Sequence, residues 1–176
     1  MNDSDLEISS KAGKYHVIVR GRANFEYAVP LRNIAKSTGI IEGVAFDLEN
    51  CTAMDSSFMG VLSMLALRMI REKKGAVELY NAKENLQKLL QELGILKLFA
   101  LKEGTLESGE FSGSTNGENT LLDTARTVSE AHKALVEADS ANDKKFGAVI
   151  EYADADVERL SKKTKIKIGR IKCKED

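Results

Sequence analysis

Over residues 57–73 the sequence is apolar on most of a helix's circumference, through Phe58, Met59, Val61, Leu62, Leu65, Ala66, Met69 and Ile70. Such a helix is stable in water only when covered on more than one side. The fold must therefore place at least two layers around it. Residues 43–48, bounded by Gly43 and Asn50, are short and apolar and suit a buried central strand. Gly75 stops the helix, and residues 76–80 read as a further strand.

Upstream, Leu6 and Ile8 alternate with polar residues, and residues 15–20 do the same beyond a Lys11-Ala12-Gly13-Lys14 turn, which predicts a β-hairpin. A helix follows over residues 25–37. Its only proline, Pro30, lacks an N–H and suits a first turn, so the expected start lies near Val29 rather than at Asn24. Downstream, Leu86, Leu89, Leu90 and Leu93 mark an amphipathic helix closed by Gly94, and residues 96–101 form an edge strand. Strands alternating with helices in this way predict an α/β fold with a mixed, partly parallel sheet of about five strands and helices packed on it.

That domain is expected to span residues 1–103. Residues 104–119 interleave Gly104, Gly109, Gly113 and Gly117 with serines and threonine, a composition that buries little, and read as a linker. Two amphipathic stripes follow over residues 120–161, led by Leu121, Val128, His132 and Leu135 and by Phe146, Val149, Ala153 and Leu160. They predict an α-hairpin too small to stand alone, packed either on its own domain or on a partner. The remaining stretch, 162–176, is basic through Lys174 and alternates Lys with Ile, as a solvated tail or edge strand would.

Composition limits the function. A chain of 176 residues, 43% hydrophobic and 30% charged, has the material for one ordinary domain with an appendage. Its 26 basic and 27 acidic residues nearly cancel, which argues against nucleic acid or an acidic membrane as the partner of the whole chain. Cys51 and Cys173 are far apart with no neighbouring ligand at metal spacing, so no metal, cofactor or disulfide is expected, and a reducing compartment fits. The N-terminal residues are acidic, unlike a secretory signal, and no apolar run is long enough to span a bilayer. The expected location is the cytoplasm.

Chemistry concentrates where the central strand leads into the apolar helix, at Asp55-Ser56-Ser57. Asp and Ser cap helix N-termini because their side-chain oxygens accept from unpaired backbone N–H groups. As an enzyme nucleophile, Ser56 or Ser57 would need a positioned base, and the two histidines, His16 and His132, fall in a strand and in a distant helical stripe. Asp47 in a strand and Asp55 at a cap do not make a cation site. The chain reads as a binding protein rather than an enzyme.

The ordered set of residues 46–48, a six-residue loop, Asp55-Ser56-Ser57 and then Gly60-Val61-Leu62 resembles the STAS domain of bacterial anti-sigma factor antagonists. Residues 75–81, the leucines up to Gly94-Ile95, Phe99, and the upstream run 17–24 match the same pattern, so the resemblance covers roughly residues 6–101. It implies an anti-sigma factor antagonist in a partner-switching cascade. The partner would be an anti-sigma factor that is itself a serine kinase, with a phosphatase as a further partner that resets the switch. The phosphorylated residue would be Ser57, with Ser56 as the second candidate, and partner binding would involve Asn24, Met54, Asp55, Ser56, Ser57, Phe58 and Met59, with the last two and Met54 as an apolar rim. Phe58 stands where the family usually places a glycine, and Asn24 where many members carry an aspartate. The alternative is a STAS scaffold or ligand-binding module that is not phosphorylated.

Overall fold

The computed structural model describes residues 4–106, 111–114 and 119–172. It opens with the expected hairpin, β1 (Asp5–Lys11) against β2 (Lys14–Ala23), around a turn in which Ala12 and Gly13 both take positive φ. Two-residue turns of that type match the twist of the strands they join. Leu6, Ile8, Val17 and Val19 are buried in strict alternation along the pair.

β2 is ten residues long and has two parallel partners on the same edge. Its first half lies beside β3 (Gly43–Asp47), and its last residues lie beside β4 (Cys51–Met54). β5 (Val77–Tyr80) and β6 (Phe99–Lys102) extend the sheet past β3, both parallel, and β7 (Phe111–Ser114) pairs antiparallel with β1. The seven strands run in the order β6-β5-β3-β2-β1-β7, with β4 beside β2. The fold is thus the mixed α/β sheet expected, with two strands more than the sequence indicates.

Both extra strands lie where side-chain patterning is silent. β4 falls in the stretch read as loop; it is four residues long, and its pairing is set up by the Gly21 N–H donating to the Asn50 carbonyl at 2.9 Å. β7 falls inside the stretch read as a linker. It is placed there by backbone pairing to β1.

Among the described residues five α-helices accompany this sheet: α1 (Phe25–Lys36), α2 (Ser56–Arg71), α3 (Glu84–Glu92), α4 (Leu121–Ala138) and α5 (Asp143–Lys172). α2 is the buried helix of the sequence, with Phe58, Val61, Leu62 and Leu65 fully enclosed and α1 and α4 packed against it. α3 ends at Gly94, whose positive φ lets the Ile95 N–H donate to the Leu90 carbonyl and the Gly94 N–H to that of Gln91.

α1 begins at Phe25 with Asn24 as its cap, four residues ahead of the expected start, and holds Pro30 in its interior. The missing N–H of Pro30 would strand the Glu26 carbonyl four residues back. The Asn119 side-chain amide donates to that carbonyl at 3.2 Å and takes the place of the lost helical bond.

The C-terminal hairpin packs on its own chain. Ala131 and Leu135 of α4 belong to the same hydrophobic core as the sheet, and α5 packs on α4. α5 also runs on to Lys172, so residues 162–172 are helical rather than a loose tail or edge strand. Residues 173–176, including Cys173, lie outside the described residues.

Candidate functional site at the α2 N-terminus

β4 delivers Asp55 to the mouth of α2, and β2 delivers Asn24 to the mouth of α1 beside it. The Asp55 N–H donates to the Ala23 carbonyl at 3.0 Å, which keeps the two strand ends adjacent. Asp55 then caps both helices. One carboxylate oxygen accepts from the Phe58 N–H at 2.8 Å in its own helix, and the other accepts from the Phe25 N–H at 2.9 Å at the start of α1. The Asn24 side-chain oxygen accepts from the Glu26 N–H at 3.0 Å. Two helix N-termini, each with a partial positive charge, thus meet at one carboxylate.

Ser56 and Ser57 form the first turn of α2. Ser57 is 7% exposed, whereas Ser56 is half-buried. The structure places Asn24 at the start of α1 next to Asp55, with Ser56 and Ser57 following Asp55 in the first turn of α2. It does not make an apolar rim of Met54, Phe58 and Met59, whose exposures are 7%, 0% and 5%. Phe58 sits inward, its ring edge-on to Phe46 with centroids 6.5 Å apart. The reason is helical geometry: Phe58, Leu62 and Leu65 share the face that α2 turns to the sheet. Exposed apolar surface near the site comes instead from Phe25, 44% exposed, which the sequence analysis did not single out. Its position directly after a capping Asn was the available signal.

His132, placed by its sequence stripe far from the serines, is in contact with one of them, Ser56. Its Nε2 lies 3.0 Å from Ser56 Oγ, and its Nδ1 lies 2.7 Å from the Val128 carbonyl. A carbonyl only accepts, so Nδ1 carries the proton and Nε2 accepts from the serine hydroxyl. Burial pushes the imidazole pKa below its ordinary value, against smaller opposing effects of the Val128 bond and the Asp55 charge. The ring stacks at a tilt on Phe146 of α5, centroids 4.9 Å apart. The close approach that permits this is made at Gly60, where a Cβ would fall 2.6 Å from the Ala131 carbonyl carbon and 2.7 Å from its Cβ.

A neutral imidazole accepting from a serine hydroxyl is one element of a nucleophile site. Here both ring nitrogens are engaged, Nε2 by Ser56 and Nδ1 by the Val128 carbonyl. The pair ties α4 across the mouth of α2. Two further polar ties accompany it: Arg32 of α1 donates from Nε and Nη2 to both oxygens of Glu130, at 2.9 and 3.0 Å, and the buried Asn142 amide donates to the Leu93 and Leu135 carbonyls at 2.8 and 2.9 Å.

Cys51, under the same loop, is buried, and desolvation raises its thiol pKa, as expected of an apolar filler. Among the described residues no group of three or more metal-ligating side chains comes together, and no helix is long and apolar enough to cross a membrane.

A scan against protein-family models finds no match, and a search of curated proteins finds none either. Among solved structures, the chain is similar to the anti-sigma factor antagonist SpoIIAA in its unphosphorylated form, at 16% identity and a TM-score of 0.43, over 58% of this chain and 88% of that one. A likeness so distant transfers no residue role.

Proposed function

We propose that the chain is a STAS-type anti-sigma factor antagonist that binds an anti-sigma serine kinase at the α2 N-terminus and releases it when Ser57 is phosphorylated. The observation that supports this most directly is the double cap of Asp55, which sets Ser57 in the first turn of one helix and beside the start of another. A phosphate there adds about −1.5 to −2 charges next to N–H groups and dipoles that favour anions, so the fold tolerates it. An interface closed over the same spot does not, because the added charge would be desolvated without a partner cation. Reversing a 1:99 population needs about 5.5 kcal/mol of differential binding, within what such a burial costs. The partner surface in this reading is formed by Asn24, Phe25, Asp55, Ser56 and Ser57, with Met54, Phe58 and Met59 supporting it from beneath.

A second reading draws on the 7% exposure of Ser57 and the engagement of Ser56 by His132. It takes the chain as a binding module of the same type whose serines serve only as first-turn residues. Incubation with anti-sigma serine kinases and ATP, followed by mass spectrometry, separates the two. Phosphate on Ser57, with loss of kinase binding in Ser57→Asp, supports the switch. No phosphate with any kinase, together with unchanged binding by Ser57→Asp, supports the static module. Phe58→Gly is not a clean probe of access, because emptying that enclosed site costs about 3–5 kcal/mol of stability.

A further inference from the structure

Ser56 and His132 stand 76 positions apart in the chain, and folding brings them to 3.0 Å. The base that the sequence does not offer the serines is thus supplied by α4. Ser56 Oγ donates to Nε2 of the imidazole, and the Val128 carbonyl, 2.7 Å from Nδ1, holds the ring in the tautomer that leaves the Nε2 lone pair on the serine. Nucleophile, base and orienting group are the parts that activate a hydroxyl. Ser56 itself is half-buried and open to a reagent, whereas the ring of its base is buried, which keeps it neutral and ready to take a proton at pH 7.

Both charges that would develop on attack are answered. The imidazolium is favoured by the nearby Asp55 carboxylate. The oxyanion would form at the N-terminus of α2, whose dipole and leading N–H groups favour negative charge. Asp55 takes the N–H groups of Phe58 and Met59 through its side chain and its carbonyl, and those of Ser56 and Ser57 have no partner among the described residues. We propose that Ser56 is a nucleophile, with His132 as its general base, that takes an apolar acyl group from an activated ester or thioester. The inference rests on neither reading of Ser57.

In the step, Ser56 Oγ attacks the carbonyl carbon while Nε2 takes the hydroxyl proton. The C–O or C–S bond to the leaving group then breaks, Nε2 returns the proton to the departing alcohol or thiol, and Ser56 keeps the acyl group as an ester. The apolar class follows from what adjoins the pair. Val128, one helical turn before His132, lines an open apolar groove of 410 Å³ between α4 and α5, together with Leu121, Val149, Tyr152 and Leu160. On the facing helix, Phe146 touches the imidazole and Val149 follows it within a turn, so the groove begins beside the base on both helices. Leu121 and Tyr152 are 75% and 79% exposed, which leaves the groove open to an acyl chain.

An alkyl fluorophosphonate, which an activated serine attacks at phosphorus with loss of fluoride, tests this on the full chain, the adduct being located by mass spectrometry. The expected adduct is on Ser56. Its rate of formation in the natural chain should rise with pH and level off below about pH 6.5, as the imidazole loses its proton. His132→Gln keeps an acceptor for the Ser56 hydroxyl but provides no base, and should slow labelling about a hundredfold or more with an unchanged circular dichroism spectrum. p-Nitrophenyl octanoate should acylate Ser56 roughly tenfold faster than p-nitrophenyl acetate, and Tyr152→Asp should narrow that difference. An unlabelled natural chain overturns the proposal, as does an adduct only on other residues, a rate that climbs about tenfold per pH unit without levelling, or labelling indifferent to His132→Gln. Equal rates with the two esters overturn the assignment of an apolar acyl group.

Discussion

His132 is a buried titratable group held by Ser56, the Val128 carbonyl and Phe146. Its pKa is lowered in the folded state, chiefly by burial, so the unfolded chain binds more protons than the folded one below the ordinary imidazole pKa of about 6.5. Stability therefore holds at neutral pH and falls as pH drops below that value, continuing until the depressed folded pKa is reached. Urea midpoints measured from about pH 8 to about pH 5 should fall over this range, and His132→Gln should flatten most of the fall. A second residue-scale prediction concerns Gly60. Because Ala131 backbone occupies the space of its missing Cβ, Gly60→Ala should cost about 1–3 kcal/mol in chemical unfolding. Hydrogen exchange should localise the loosening to α4. Neither role was legible beforehand: His132 sits in an amphipathic stripe that names no partner, and Gly60 in a helix reads as a propensity cost rather than a contact.

At the scale of elements, α1 shows how a neighbour overrides a local rule. Pro30 read alone moves the helix start to Val29, yet the helix begins at Phe25 because Asn24 and Asp55 cap it and Asn119 answers the Glu26 carbonyl that Pro30 leaves free. This predicts a coupling. Asn119→Ala should cost about 0.5–1 kcal/mol in the natural chain and close to nothing in a Pro30→Ala background, where the residue 30 N–H bonds Glu26 itself. A double-mutant cycle on urea unfolding measures the difference, and additive effects would show that Asn119 does not substitute for the helical bond. β1, β2, β3, β5 and α2 were readable because each has the period of its own structure. β4 and β7 were not, because both are short strands fixed by backbone pairing to strands that precede them in the chain.

For the molecule as a whole, the C-terminal hairpin is part of the fold and not an appendage. Ala131 and Leu135 are fully buried in the common core, and α4 lies along both α1 and α2. A chain ending at Asn119 should expose the α2 face around Gly60, bind an apolar dye, and unfold at a clearly lower urea midpoint than the full chain. Far-ultraviolet and near-ultraviolet circular dichroism of the full chain should change together, as one cooperative unit requires. A truncated chain that unfolds at the same midpoint would mean that α4 adds nothing to the sheet domain.

The sequence by itself determined what depends on neighbours along the chain: the strand and helix periods, the Gly94 helix end, the Asp55 cap, and the need for α2 to be covered. Its charge arithmetic also divided α5 into an acidic and a basic half. Tertiary structure alone decided what covers α2, where β7 attaches, that Met54, Phe58 and Met59 lie inside, and that His132 meets Ser56. Those outcomes depend on contacts between residues far apart in the chain, and side-chain periodicity records which face is apolar but not which partner fills it.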